Sequence, residues 1–190
     1  MLDTDLIDAG TAYTQGWLKL IEPVPQGLHL LEYILHPTVV HQLVNYCYAT
    51  DLWETVFNTV NKPIQNRQKI CWQTDSIIEV AHTILDNCTP QINRIFDIDA
   101  EFNGLDLWRD TAGYTISKHT DNPIFNASLQ VYLQNLPELY TSFQYNEKII
   151  QTNPEPNHGY LSDNTVGIPH WMDNSVPENF VRYSLHATWS

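Results

Sequence analysis

Cationic residues are scarce in this sequence: nine Lys and Arg stand against 22 Asp and Glu, a formal charge of −13 at pH 7. An acidic surface repels phosphate backbones, so we expect no nucleic-acid partner. Polar tracts are also short, since 43% of the residues are hydrophobic and 12% are aromatic. That composition excludes wholesale disorder and can bury one substantial core. We therefore predict a single domain over residues 1–190.

Cysteines are few, and long apolar runs are missing. The cysteines are odd in number and have no CxxC spacing, which argues against a disulfide framework or a structural zinc site: Cys47, Cys71 and Cys88. No apolar run approaches the roughly 20 residues of a membrane helix. The first residues also lack the basic and apolar regions of a secretion signal. We expect a soluble, cytoplasmic protein without a membrane partner.

Apolar residues in the first hundred positions often recur with helical spacing. One helical face follows Pro37, and a second follows Ser76-Ile-Ile-Glu79, which has the form of a capping box. These faces predict helices near 38–48 and 76–88, and Pro90 is expected to end or bend the second one. For the rest of this half we predict a short helix at 51–60, a polar loop at 62–69 and an outlying strand pair within 17–34.

From about residue 104 the period of the apolar residues becomes two. It is clearest around Leu129–Leu133 and Arg182–Trp189, and shorter strand-like pieces lie at 105–109, 114–121, 140–145 and 158–162. Short strands with Asn, Asp, Pro and Gly between them predict a jelly roll, whose two sheets enclose a cavity. We predict an α+β, mainly β protein: a helical support region over about 1–103 that covers one sheet, and a jelly-roll core with a metal site over about 104–190.

The segment His119-Thr-Asp121 carries the candidate chemistry. On a strand, residues i and i+2 share a face, so an imidazole nitrogen and a carboxylate oxygen would lie side by side. A second histidine from a distant strand would complete a 2-His-1-carboxylate triad, which leaves positions open on an iron ion. His170 is the preferred candidate for that ligand. His158 and His186 are the alternatives, and His186 is expected to face the cavity in any case.

Arg182 and Ser184 form a second candidate site on the last predicted strand. They stand at i and i+2, so a guanidinium and a hydroxyl share one face. That pair suits the binding of a carboxylate group. The alternative is that Arg182 is an ion-paired arginine of the barrel.

The C-terminal half resembles the 2-oxoglutarate/Fe(II)-dependent dioxygenase superfamily, most nearly its prolyl-4-hydroxylase-like branch. The resemblance covers about residues 104–190 and rests on motifs that match in order and in rough spacing: Gly113-Tyr114, His119-Thr-Asp121-Asn-Pro123, Val131-Tyr132-Leu133, His170 and Arg182. The sequence departs from the family pattern after the Tyr-Leu strand, at 140–143, and around the distal histidine. The first hundred residues carry no recognised motif.

The resemblance implies a double-stranded β-helix, of the cupin-like jelly-roll type, with N-terminal flanking helices. It implies Fe(II) on His119, Asp121 and His170, and 2-oxoglutarate as the co-substrate alongside O2. Arg182 would bind the far carboxylate of 2-oxoglutarate, with Ser184 or Tyr132 assisting. The implied reaction is hydroxylation of an unactivated C–H bond in a small molecule or peptide, with peptidyl or free proline or another amino acid as the first expectation. A cupin-like metal- or sugar-binding protein without 2-oxoglutarate chemistry is the main alternative; a dioxygenase acting on nucleic acid is disfavoured by the charge.

Overall fold

The computed structural model describes residues 2–22, 27–58, 62–71, 73–74, 76–136 and 138–190. The described chain has four helices, all within its first hundred residues: α1 (Thr4–Leu18), α2 (Pro37–Ala49), α3 (Ile77–Asp86) and α4 (Thr89–Phe96). The two predicted helices are confirmed as α2 and α3. The hydroxyl of Ser76 caps α3 by accepting the N–H of Ile78 at 3.2 Å. Pro90 stands in the first turn of α4, where its missing N–H costs nothing, so the chain changes helix there.

The described strands form two antiparallel sheets. The strands are β1 (Leu28–Leu31), β2 (Glu54–Phe57), β3 (Pro63–Ile70), β4 (Phe102–Asp110), β5 (Ala127–Tyr132), β6 (Thr141–Tyr145), β7 (Lys148–Gln151), β8 (Gly159–Asp163), β9 (His170–Met172) and β10 (Arg182–Trp189). The major sheet has the order β1-β8-β5-β10-β4-β3-β2, and the minor sheet has the order β7-β6-β9. Non-sequential neighbours in both sheets are typical of a jelly roll, as the alternating pattern predicted.

The two faces of the major sheet differ in chemistry. Its apolar face buries alternate residues of the central strands against the four helices, among them Leu107, Leu129, Val131, Leu185 and Ala187. The opposite face carries the polar residues that alternate with them, including Arg182, Ser184 and His186. Period-two alternation therefore directs the hydrophobic core to the helices and leaves a polar face for a site.

Two predictions for the N-terminal half are wrong because strand pairing overrides the local pattern. Residues 51–60 were expected to be helical, but Glu54–Phe57 is strand β2; positions 59–60 lie outside the described residues. Residues 62–69 were expected to be a loop, but residues 63–69 belong to β3. The polar side chains of β3 pair with acidic partners on β4: Lys69 Nζ lies 3.3 Å from Asp106 Oδ2. Because such partners are distant in sequence, the polarity of this segment alone predicts a loop.

The expected strand pair over 17–34 is also wrong. Helix α1 extends to Leu18, and the single strand β1 pairs with β8 across more than a hundred residues. Pro23 and Pro25, on which that prediction depended, lie outside the described residues. The helical support region thus contributes strands β1–β3 to the major sheet as well as helices. None of the described helices is long and apolar enough to cross a membrane.

The predicted strand at 114–121 is a loop, and two strands of the minor sheet, β7 and β9, were not predicted. The loop pairs with β9 at one isolated bridge between His119 and His170. Strand β9 is only three residues long, too short for a period to be read from sequence. The remaining strand-like pieces fall on β4, β5, β6, β8 and β10.

Candidate active site

His119, Asp121 and His170 converge on one point although they come from a loop and a separate sheet. One potential ligand atom from each lies within 4.8 Å of the others. Asp121 Oδ1 lies 3.8 Å from His119 Nε2 and 3.6 Å from His170 Nε2. Adjacent ligands of one ion, at bond lengths of about 2.1 Å, are separated by roughly 3–3.5 Å. The three side chains are therefore nearly in position to share an ion.

Hydrogen bonds to the backbone orient both imidazoles of this group. His119 Nδ1 donates to the carbonyl of Ser117 at 2.9 Å, and His170 Nδ1 donates to the carbonyl of Ile168 at 3.2 Å. A carbonyl can only accept, so Nδ1 carries a proton, and in the neutral imidazole Nε2 then keeps its lone pair. Both lone pairs are then available beside Asp121. This is the supporting arrangement that metal-ligating histidines usually have.

The electrostatic environment keeps the buried histidine able to bind a cation. Burial lowers the pKa of His170, against the opposing effect of the Asp121 carboxylate. At neutral pH the imidazole is therefore neutral, which is the form that binds metal. A donor set of two imidazoles and one carboxylate fits Fe(II), with coordination positions left for other ligands.

The alternative histidines lie elsewhere. His158 Nδ1 also donates to a backbone carbonyl, that of Pro156, but its ring packs against Tyr33 and it is not part of the convergent group. His186 stands on β10 and lines the cavity beside the group, as expected. Burial lowers its pKa, so this imidazole is also neutral.

A cavity of about 200 Å³ lies against the His-Asp-His group. Its walls include Tyr160, Gln130 and Trp108 from the polar face of the major sheet, and the guanidinium groups of Arg67 and Arg182. Burial raises the pKa of Tyr160 well above its usual value, so its hydroxyl stays protonated. The cavity thus brings together three side chains that could hold a metal ion and two cations.

Arg182 is buried, and it is already ion-paired. Its Nη1 lies 3.4 Å from Asp110 Oδ2, while its Nε has no hydrogen-bond partner among the described residues. The ion-paired arginine expected as the alternative is therefore observed, while binding of a carboxylate by Arg182 stays a prediction. An unsatisfied buried guanidinium N–H is costly.

Ser184 and Tyr132 lie deeper on the same face. Ser184 is fully buried, and its hydroxyl has no partner among the described residues. The Tyr132 hydroxyl bonds to Thr141 Oγ1 at 2.7 Å and to Thr152 Oγ1 at 2.9 Å, and the Arg182 guanidinium lies 5.3 Å from its ring centre. In this structure Tyr132 supports Arg182 through its ring and holds the minor sheet through its hydroxyl. Their assistance to a bound carboxylate stays a prediction.

Three residues of the cavity or its supports were not found from sequence: Arg67, Asp110 and Tyr160. Asp110 directly follows Trp108 and Arg109 in β4 and belongs to no motif in the sequence. Arg67 and Lys69 stand at i and i+2 in a segment interpreted as a loop, and that spacing was the available signal. Arg109 lies on the other side of its strand, 5.6 Å from the ring centre of Trp53.

A second cavity, of about 590 Å³, continues from the first along the polar face. Trp108 and His186 border both cavities. The second one is more open, and its walls include Asp106, His82 and Phe125. A molecule in it would lie next to the contents of the smaller cavity.

Solved structures resemble this chain over nearly its whole length. A prolyl hydroxylase from Trichoplax adhaerens, in complex with a hypoxia inducible factor peptide fragment, superposes with a TM-score of 0.73 at 12% identity, covering 98% of this chain and 90% of that one. A Pseudomonas putida prolyl-4-hydroxylase gives 0.73 at 14% identity, covering 94% and 98%. HygX from Streptomyces hygroscopicus, bound to nickel, 2-oxoglutarate and hygromycin B, gives 0.64 at 9% identity, covering 87% and 83%.

This chain has the double-stranded β-helix fold of those oxygenases. The predicted fold class, a mainly β double-stranded β-helix with N-terminal helices, is confirmed. No protein-family model and no curated protein sequence matches the chain. At identities this low the similarity establishes the architecture alone, and the chemistry must be argued from the site.

Proposed function

We propose that this protein is a 2-oxoglutarate-dependent Fe(II) dioxygenase that hydroxylates an unactivated C–H bond. The single observation that carries the proposal is the convergence of His119, Asp121 and His170 at a cavity that also holds the buried Arg182. A metal site alone would suit many proteins. A metal site beside a buried cation with an unsatisfied N–H suits a ligand that both chelates metal and carries a distant carboxylate.

Each side chain has a definite task in this proposal. His119, Asp121 and His170 hold Fe(II), which when bound supplies oxygen activation coupled to decarboxylation of 2-oxoglutarate to succinate and CO2. Arg182 binds the far carboxylate. Tyr160 and Gln130 line the space between sheet and metal, where their polar atoms can orient the co-substrate. The buried walls limit water at the reacting centre.

The larger cavity is the proposed place of the substrate, since Trp108 and His186 border it and the smaller cavity alike. Peptidyl or free proline, or another amino acid, is the first candidate. Two of the similar structures are prolyl hydroxylases, one of them solved with a peptide. The third was solved with hygromycin B, so small molecules belong in the same screen.

Anaerobic titration of the Fe(II)-loaded protein with 2-oxoglutarate tests the proposal. Bidentate chelation of the iron is expected to produce a visible metal-to-ligand charge-transfer band that saturates with co-substrate. Iron binding without that band, and without any 2-oxoglutarate affinity by calorimetry, would favour the cupin-like metal or sugar binder. The wild-type result decides between these two functions without knowledge of the substrate.

Substitution of Arg182 tests the carboxylate anchor separately. Removing one partner of a buried charge pair costs on the order of 2–5 kcal/mol, so Arg182→Ala should weaken 2-oxoglutarate binding roughly 30- to several-thousand-fold. Arg182→Lys should lose less, because it keeps the charge and gives up only the fork geometry. Fe(II) affinity should persist in both variants. Equal 2-oxoglutarate affinity in wild type and Arg182→Ala would refute the anchor.

A further inference from the structure

Arg67 is held in a fixed position by three neighbours on the polar face of the major sheet. Its Nε lies 2.6 Å from Asp110 Oδ1 and its Nη2 lies 2.9 Å from Asp110 Oδ2. Its guanidinium also lies 4.2 Å from the ring centres of both Trp108 and Tyr114. A bidentate ion pair and two stacked aromatic rings restrict this side chain to one rotamer.

The pairing of β3 with β4 brings Arg67 to the same cavity as Arg182. In the sheet register Asp110 is opposite Arg67 on one side and opposite Arg182 on the other. Asp110 Oδ2 accepts from both guanidinium groups, at 2.9 Å and 3.4 Å. We call these three residues the Arg–Asp–Arg cluster. Both of its arginines line the cavity beside the His-Asp-His group.

The charge of the Arg–Asp–Arg cluster does not cancel. Two guanidinium groups and one carboxylate leave one net positive charge, and Asp110 is completely buried. Both bonds from Arg67 use Nε and Nη2, so Nη1 takes part in neither of them. On the other side, Arg182 Nε has no partner among the described residues. One additional carboxylate in the cavity would neutralise the cluster.

We propose that Arg67 is a second carboxylate-binding residue and that, with Arg182, it makes the site selective for an oxo acid with a carboxylate at its far end. This inference rests on the proposed function and extends it to a residue of β3, a strand outside the region of motif resemblance. Asp110 positions both arginines and keeps the cluster at one net charge. A ligand of equal length with a methyl group at the far end would leave that charge uncompensated.

Comparison of two ligands separates this role from a structural one. The probes are 2-oxoglutarate and 2-oxovalerate, which have the same chain length and the same chelating oxo acid, but only the first has a far carboxylate. Their dissociation constants are measured by calorimetry on the full-length protein loaded with Mn(II), which supports binding without depending on turnover. The preference for 2-oxoglutarate then measures what the far carboxylate contributes.

Arg67→Gln should reduce that preference about tenfold or more, by weakening 2-oxoglutarate while 2-oxovalerate is little changed. Arg67→Lys should fall between Arg67→Gln and wild type, because it retains the charge. Arg109→Gln is the matched control, because Arg109 stands on β4 but lies against Trp53, on the opposite face. The preference of this variant for 2-oxoglutarate over 2-oxovalerate should equal that of wild type.

The outcomes distinguish this inference from the proposed function. A wild type with no preference for 2-oxoglutarate overturns both. A wild type with a clear preference that Arg67→Gln retains overturns the role of Arg67 alone, as does a variant that loses both ligands equally. If Arg67→Gln does not fold, Arg67→Lys decides: a reduced preference with unchanged Mn(II) affinity supports the inference, and an unchanged preference overturns it.

Discussion

The backbones of His119 and His170 are joined by two reciprocal hydrogen bonds. The N–H of His119 donates to the carbonyl of His170 at 3.0 Å, and the reverse bond measures 2.8 Å. This bridge places the two imidazole rings next to each other, with their centroids 4.3 Å apart. Two proposed ligands that are 51 positions apart are thus held side by side by the backbone. The site is preorganised by the fold, which limits the cost of ordering it when an ion binds.

Removal of a single proposed ligand should abolish most metal binding. His119→Ala, Asp121→Ala and His170→Ala are each expected to weaken Fe(II) or Mn(II) affinity by at least about 100-fold, since loss of even a supporting partner costs roughly 10–100-fold. Calorimetry and metal content after dialysis provide the measurement. His158→Ala is the control, because His158 has the same backbone hydrogen bond but lies outside the group. Unchanged metal content in His119→Ala and Asp121→Ala would refute the assignment.

Loss of the Asp110 charge should destabilise the protein strongly. Asp110→Asn leaves two guanidinium groups in the buried cluster without a counter-charge, and breaking such a pair costs about 3–5 kcal/mol. Asp106→Asn is the matched control on the same strand. Its partner Lys69 and its own carboxylate are both about a third exposed, so about 0–1 kcal/mol is expected. Denaturant unfolding of the two variants checks the difference, and similar values for both would contradict it.

A methyl group at Gly159 should disturb the centre of the major sheet. A Cβ there would lie 1.8 Å from the carbonyl oxygen of Gln130, which is backbone and cannot rotate away. Gly159→Ala is expected to cost at least about 1–3 kcal/mol of unfolding free energy, because strand β8 must shift from β5. Gly16→Ala meets nothing within 4 Å in the exposed part of α1 and should stabilise by about 0.5–1 kcal/mol. Thermal unfolding measures the difference. A melting temperature of Gly159→Ala equal to that of wild type would show that the strands can separate freely.

One cysteine should react in the native protein. Burial raises the pKa of Cys47 and of Cys88 to about 12, so at pH 8 their thiolate fractions are negligible and their sulfur atoms are covered. Cys71 is exposed, and its pKa is raised less. Titration with a disulfide reagent at pH 8 should therefore detect one thiol per chain, and three after denaturation. Rapid reaction of two or more thiols without denaturant would contradict the buried positions.

Local sequence was sufficient for the parts of this protein that depend on neighbours in the chain. Alternation over Leu129–Leu133 and Arg182–Trp189 placed β5 and β10, because a half-buried strand requires one apolar face. Helices α2 and α3 were predicted for the same reason at the helical period. The His119-Thr-Asp121 segment was identified correctly as a convergent pair, although it is a loop and not the expected strand.

Only the tertiary structure decided which distant residues share the site. Of three candidate histidines, His170 joins the group because β9 pairs with the loop at His119. Strand β9 is too short for an alternating period to be recognised in the sequence. Arg67 reaches the cavity because β3 pairs with β4, where its guanidinium meets the buried carboxylate of Asp110. Hydrogen bonds between strands form however far apart the strands lie in the sequence. A polar strand with such partners has the composition of a loop. Local periodicity therefore predicted the elements that have one apolar face, and long-range pairing determined the polar strands and the residues that meet at the site.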